Sequence, residues 1–327
     1  MNDSAPSAAP KIGVVVLNYR NYADTVVCLR SLAGATYPRI ETIVVDNDSR
    51  NDSLAQIRVG LGWSPADCPT VDEAELARGA ALPGTRFFVQ AARNRGYAAG
   101  NNLGLRLALA RGCGYALVLN NDTEVRPDFL EPLVAHAEAH PELAGVGPKI
   151  LNPAGRVEPH CARRRPDLGF YFFSTGIGRK LWPGNPWRRR HFYEGEYAFD
   201  RPMEVDVLSG SCMLLRRVAL EQVGLFDETT FLYQEELILH EKFRARGWRQ
   251  AIVPASVIVH KGGQATLREL PAHISKSAQD SLLYYLKHYR RYGWFTRQAI
   301  LGVVGAPRRL FGRGRTRALI QDSGGQP

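Results

Sequence analysis

Near its start the chain packs apolar residues side by side in KIGVVVLNY, a run that closes on Asn18 and Tyr19. A short β-branched run without alternation predicts a strand buried on both faces. Tyr22 to Leu32 follows with Val26, Val27, Leu29 and Leu32 at helical spacing, and Asp24 suits the N-terminus of such a helix. A second strand, Thr42 to Val45, runs into Asp46, Asn47, Asp48 and Ser49, which are turn residues. Strand, helix, strand with a right-handed crossover gives a parallel pair, so the fold class is α/β.

Residues 60–85, rich in Pro, Gly and Ala, read as an insertion loop holding at most one helical turn. A strand at Phe87 to Gln90 comes next, then a Gly- and Asn-rich loop from Asn94 to Asn102, a helix from Leu103 to Ala110, and a strand at Tyr115 to Leu119. Three strands therefore end in polar residues, at Asn18, Asp46 and Asn120. Open α/β sheets bind ligands outside the carboxyl ends of their strands, so these ends are candidates for one site. Residues 150–205 have weak periodicity and read as long loops over a surface cleft. Order returns in VDVLSGSCMLLRR, a strand broken at Gly210, followed by the helix VALEQVG, the turn LFDETTF, a helix from about Glu235 to Arg246, and the strand AIVPASVIVH, which ends at His260.

Composition narrows the class. With 327 residues, 45% hydrophobic and 23% charged, the chain can bury a large core, and no apolar window is long enough for a membrane span. MNDSAPSAAP lacks the basic and apolar regions of a signal peptide and reads as a short disordered leader over residues 1–10. The cysteines, Cys28, Cys68, Cys113, Cys161 and Cys212, are scattered and odd in number, which fits a reduced, cytoplasmic protein rather than a disulfide framework or zinc site. The net charge of +10 is local: nine of the 42 basic residues fall between Ser281 and Gln321, where no Asp or Glu occurs.

The polar strand ends set the chemistry. In LVLNND, residues two apart in an extended segment face the same side, so Asn120 and Asp122 can address one ligand. An amide oxygen with a carboxylate suits Mg²⁺ or Mn²⁺ shared with phosphate oxygens; a plain Asx turn is the alternative. The glycines of NRGYAAGNN permit close backbone approach ahead of a helix N-terminus, but there is no GxGxxG and hence no dinucleotide fingerprint.

VVVLNY, IVVDNDS, NRGYAAGNN, LVLNND, GSCMLLRR, VGLFDE, FLYQEE and VHKGG occur in an order and spacing that resemble glycosyltransferase family 2, most closely its bacterial rhamnosyltransferase-type members, over about residues 10–265. The resemblance implies a GT-A fold: a Rossmann-like nucleotide-diphospho-sugar transferase with a mixed sheet flanked by helices. It places a nucleotide-binding half at about 11–125, an acceptor half at about 126–270, and a basic aromatic helical tail at 271–327. It further implies a dTDP- or UDP-sugar donor, a glycan or lipid-linked acceptor, a Mg²⁺ or Mn²⁺ cofactor, and inversion at the anomeric carbon.

By the same resemblance Asn18 and Tyr19 line the nucleotide pocket and Asp46 reads the base. Arg95, Gly96 and Asn101 serve the sugar or diphosphate. Asn120 and Asn121 stand beside Asp122, the direct metal ligand, with His260 before Lys261, Gly262 and Gly263 as a further ligand. Where relatives carry Glu-Asp-x-Asp with the first Asp as base, this chain has Glu235, Glu236, Leu237 and Ile238. Glu236 keeps a carboxylate with one more methylene, beside Glu235, and Ile238 removes the second acid. That departure admits a rival reading, a weak or inactive member that binds nucleotide or glycan within an assembly. A nucleotidyltransferase is disfavoured because NYRNYAD has no glycine-rich phosphate loop. The tail, with Tyr284, Tyr285, Tyr289, Tyr292, Trp294 and Phe295 among its arginines, reads as a contact with the inner face of the cytoplasmic membrane, with a helix packed on the domain as the alternative; no motif points to nucleic acid.

Overall fold

A computed structural model describes residues 9–79, 82–262 and 271–311, with backbone alone for 271–275 and 305–311. Residues 1–8 of the leader, Gly263, and Arg313, Arg315 and Arg317 of the basic tail lie outside the described residues. Five strands make the first half of the sheet: β1 (Ile12–Asn18), β2 (Ile40–Asp46), β3 (Thr70–Asp72), β4 (Arg86–Gln90) and β5 (Tyr115–Asn120). They lie parallel, β1 between β2 and β5, with Asn18 opposite Asp46 and Leu17 opposite Asn120. Parallel strands in this register bring three polar strand ends to one edge of the sheet.

The second half adds β6 (Thr123–Val125), β7 (Leu143–Leu151), β11 (Cys212–Arg216) and β12 (Arg249–His260), so the sheet runs β3-β4-β2-β1-β5-β11-β7-β12-β6, with β9 (Met203–Val205) also on β12. β11 is antiparallel to β5 and β7, and β12 is antiparallel to β6, with His260 opposite Thr123. The sheet is therefore mixed, and the return of β12 sets His260 beside the chain that follows Asn120. β8 (Ala162–Arg163) and β10 (Val207–Leu208) form a separate two-stranded ribbon.

Helices α1 (Tyr22–Ala33), α2 (Ser53–Leu61), α3 (Glu73–Ala77), α4 (Tyr97–Ala110) and α5 (Leu130–Ala139) accompany the first strands. Two sequence expectations change here. α4 begins at Tyr97 rather than Leu103, because small residues let it lie close on the sheet: a Cβ on Gly100 would come 2.7 Å from Leu17 Cδ1, and one on Gly104 would overlap Val15. Residues 60–85 are not a plain loop, since Thr70–Asp72 pairs with β4 and Asp72 caps α3 in a capping box with Glu75.

Residues 150–205 likewise hold α6 (Leu168–Ser174), α7 (Gly176–Leu181) and α8 (Pro186–His191), each too short to leave a helical period. α9 (Arg217–Val223) and α10 (Glu235–Arg244) precede β12, and the tail forms α11 (Pro271–His288) and α12 (Trp294–Phe311). A second hydrophobic cluster joins Tyr285, Leu286 and Ile300 of these tail helices to Ile238 of α10 and Tyr171 of α6. The described part of the tail thus packs on the domain. All five cysteines are free and buried, and no helix among the described residues is long and apolar enough to cross a membrane.

Candidate active site

A cavity of about 260 Å³ opens at the carboxyl edge of the sheet. Of the residues singled out by sequence, Tyr19, Gly96, Asn120, Asn121, Asp122, Glu235, Glu236 and His260 line it. They come from five separate stretches, which the fold brings together at the carboxyl edge of the sheet.

Asp122 and His260 meet across the wall, Oδ1 to Nε2 at 3.2 Å. The other ring nitrogen, Nδ1, lies 3.3 Å from Glu158 Oε2, and Ser211 Oγ is 3.4 Å from Nε2. Burial disfavours the imidazolium, but the bonds to Asp122 and Glu158 outweigh it and raise His260 to about 9. The two carboxylates thus favour the imidazolium form of the ring.

Among the described residues no cluster of three or more His, Cys, Asp or Glu side chains forms a complete metal cage. One carboxylate oxygen and one imidazole nitrogen nonetheless lie 3.2 Å apart, a donor pair that fits Mg²⁺ or Mn²⁺ completed by diphosphate oxygens. Glu158 braces the ring from its far nitrogen, as carboxylates commonly brace metal-bound histidines. Sequence reasoning passed over Glu158, which sits in a weakly periodic stretch.

The opposite wall is the loop 231–233 and the start of α10. Tyr233 and Gln234 both adopt left-handed backbone (φ 72° and 73°), a costly pair for non-glycine residues that turns the chain so α10 opens on Glu235 and Glu236. Glu236 Oε1 accepts from the Gly210 N–H at 3.1 Å and lies 3.8 Å from Arg163 Nη2. A Cβ on Gly210 would sit 2.8 Å from that same oxygen and displace the Glu236 carboxylate. Glu235 is only 4% exposed and its Oε1 has no partner. Burial, reinforced by the charge of Glu236, pushes its carboxyl up to about 8, so it is neutral at pH 7.

Tyr97 joins the two walls and was not singled out by sequence. Its hydroxyl donates to Gly210 O at 2.7 Å and lies 3.4 Å from Asn120 Oδ1. Burial, and then the nearby carboxylates led by Glu236, hold that hydroxyl protonated well above its ordinary range. The only signal for it was its place beside Gly96, whose φ of 98° no other residue readily adopts and whose Cβ would overlap Phe231 O.

Four other sequence candidates stand behind the cavity. Asn18 donates to Asp46 Oδ2 at 2.8 Å and to Ser49 Oγ at 3.2 Å, and Asp46 Oδ1 accepts from the Ser49 N–H at 2.9 Å and Gln90 Nε2 at 3.3 Å. This network fixes the β1 and β2 ends. Arg95 is paired with Glu73 and lies 3.8 Å from Glu228. Asn101 is buried in α4 and donates to Tyr97 O at 3.0 Å.

Residues 67–224 match the sequence model of Glycosyl transferase family 2. N-acetylglucosaminyl-diphospho-decaprenol L-rhamnosyltransferase of Mycobacterium tuberculosis is 32% identical over 181 residues, covering 55% of this chain and 57% of that protein. Low-salt glycan biosynthesis hexosyltransferase Agl10 of Haloferax volcanii is 27% identical over 228 residues, 69% of this chain and 59% of that protein. The chain thus spans less than two thirds of the length of either relative. Among solved structures, the mannosyltransferase PcManGT of Pyrobaculum calidifontis in complex with GDP-Man and Mn²⁺ superposes with TM-score 0.55 at 19% identity, over 93% of this chain and 70% of that one. GalNAc-T7 with UDP, GalNAc and Mn²⁺ superposes with TM-score 0.53 at 16% identity, over 78% and 44%. At these identities the likeness establishes the fold, which is GT-A.

Proposed function

We propose, from the match of residues 67–224 to Glycosyl transferase family 2, that this chain is a metal-dependent, inverting glycosyltransferase. It moves a sugar, rhamnose or another deoxyhexose, from a dTDP- or UDP-activated donor to a hydroxyl of a bacterial surface glycan or lipid-linked acceptor. The chain works at the cytoplasmic side, with the basic tail toward the membrane. The observation that carries the reading is one cavity lined by Asp122 and His260 together with Glu236.

In this mechanism Tyr19 and the network of Asn18 and Asp46 hold the nucleotide at the ends of β1 and β2. The turn before α4, with Arg95, Gly96 and Asn101, shapes the place of the diphosphate and sugar, next to Asn120 and Asn121. Asp122 and His260 would hold Mg²⁺ or Mn²⁺, which when bound would supply positive charge against the departing diphosphate. Glu236, oriented by the Gly210 N–H, takes the proton from the acceptor hydroxyl as general base. Glu235, neutral and buried, adds no second charge beside it.

The rival, a weak or inactive relative that binds nucleotide or glycan within an assembly, drew on the missing acid at Ile238. Ile238 is fully buried in the cluster under Tyr285 and Leu286, away from the cavity. An acid there would meet the tail helices, so its loss does not strip the cavity of a carboxylate. The test is a panel of nucleotide-sugars with Mn²⁺ and a glycan-lipid acceptor, read by product mass and anomeric configuration. An inverted deoxyhexosyl product supports the proposal; nucleotide binding without turnover across the panel overturns it in favour of the rival.

A further inference from the structure

The insertion between β8 and β10 presents a surface of unusual composition. From Leu168 to Tyr193 the sequence holds Arg179, Lys180, Arg188, Arg189 and Arg190 and not one Asp or Glu. The flanking acids are Asp167, 3.8 Å from Arg190, and Glu194, 3.3 Å from Arg188. Among the described residues Arg179 and Arg189 have no ion-pair partner.

Within this basic stretch the apolar residues point outward. Residues 179–184, Arg-Lys-Leu-Trp-Pro-Gly, are all exposed, with Leu181 at 81% and Trp182 at 50%. Trp182 packs edge-on to Trp187 at 6.0 Å, and Trp187 stacks on the half-exposed Phe173 at 4.3 Å. The projection is rigidly backed. Asn185, fully buried, accepts from Ser174 Oγ at 2.7 Å and donates to Phe173 O and Trp182 O at 2.9 and 2.8 Å. α7 also meets α12 so closely that a Cβ on Gly176 would overlap Val303 O.

An indole and a leucine exposed on one turn, in a stretch that carries Arg179, Lys180 and Arg189 and no acid, match the chemistry of an anionic lipid surface. Indole settles at the headgroup level, the leucine enters the acyl boundary, and the guanidinium and ammonium groups meet the headgroup charge. We propose that the turn Arg179–Trp182, with Trp187 and Arg189 behind it, docks this protein on an anionic bilayer. The proposal rests on exposure and charge rather than on the proposed sugar transfer, so either can fail alone.

The test is co-sedimentation of the full-length chain with vesicles of phosphatidylcholine alone or with 30 mol% phosphatidylglycerol, at about 0.1 M salt. Wild type is expected to bind the anionic vesicles. Leu181→Ser with Trp182→Ser, at exposed positions, should lower the partition coefficient by about tenfold or more, and Arg179→Gln with Lys180→Gln should lower it while leaving neutral-vesicle binding unchanged. Brominated lipid should quench tryptophan emission in wild type and less in Trp182→Phe. Unchanged binding in the Leu181/Trp182 variant overturns the proposal and assigns any adhesion to the tail. Loss of a concentration-dependent dimer in that variant, without vesicle binding in wild type, also overturns it and makes the surface an interface between copies.

Discussion

Asp122 Oδ1 lies 3.2 Å from His260 Nε2, and the far side of the same imidazole is braced 3.3 Å away by Glu158. The chain reaches this arrangement by ending β5 one turn before Asp122 and returning β12 antiparallel to β6. If the pair holds the metal and Glu158 orients the ring, Glu158→Gln should weaken Mn²⁺ binding in the presence of nucleoside diphosphate by about tenfold to a hundredfold, and Asp122→Ala should abolish it. Titration calorimetry with and without the nucleotide measures both.

Glu236 Oε1 is held by the backbone N–H of Gly210. Glu236→Gln keeps the size and the ability to accept that bond but cannot take a proton. It should lower kcat by about 10² to 10⁴-fold, with donor affinity unchanged. Glu236→Asp should fall between, since a shorter side chain shifts the oxygen by about 1 Å. Steady-state kinetics beside equilibrium nucleotide binding separates a lost base from a lost pocket.

Restoring an acid at position 238 tests the packing explanation for its absence. Ile238→Asp would bury a carboxylate beneath Tyr285 and Leu286 and should cost about 3 kcal/mol or more of stability without raising kcat. Urea unfolding checks the first outcome and transfer kinetics the second.

Gly96 combines φ 98° and ψ −177° with a wall formed by Phe231 O. Gly96→Ala must either adopt a backbone region open almost only to glycine or push the Phe231–Tyr233 loop away from Tyr97. It should destabilise by about 2 kcal/mol and raise KM for the donor, whereas Gly112→Ala, a turn glycine with open space around it, should leave KM unchanged.

Glu235 makes stability depend on pH in a stated direction. Its carboxyl is raised from 4.5 to about 8 by burial and by Glu236. Between those values the folded chain holds a proton that the unfolded chain has released. The contribution is therefore full below about pH 4.5 and is lost as pH rises toward about 8. Glu235→Gln should flatten that decline and be more stable than wild type at pH 9, as thermal unfolding across pH 5–9 would show.

Much of this site could be read from sequence because β-branched runs ending in Asn or Asp mark parallel strands whose ends converge. Asn18, Asp46 and Asn120 were visible for that reason. Tyr97 was not, because AAGNN looks like a loop when its small residues actually let α4 lie close on β1. Glu158 left no signal, since the partner that gives it meaning, His260, is brought to it only by the return of β12. The short helices α6 to α8 are held by the Asn185 hydrogen bonds and aromatic stacking, neither of which has a period.

The most direct test of the central claim is release of nucleoside diphosphate from the preferred nucleotide-sugar as Mn²⁺ is titrated, in wild type, Asp122→Ala and His260→Ala. Saturable metal dependence in wild type, abolished in Asp122→Ala and weakened in His260→Ala, is the expected result. Release that is independent of metal, or that survives Asp122→Ala with the same metal dependence, would contradict it and reduce the Asp122–His260 pair to a structural ion pair.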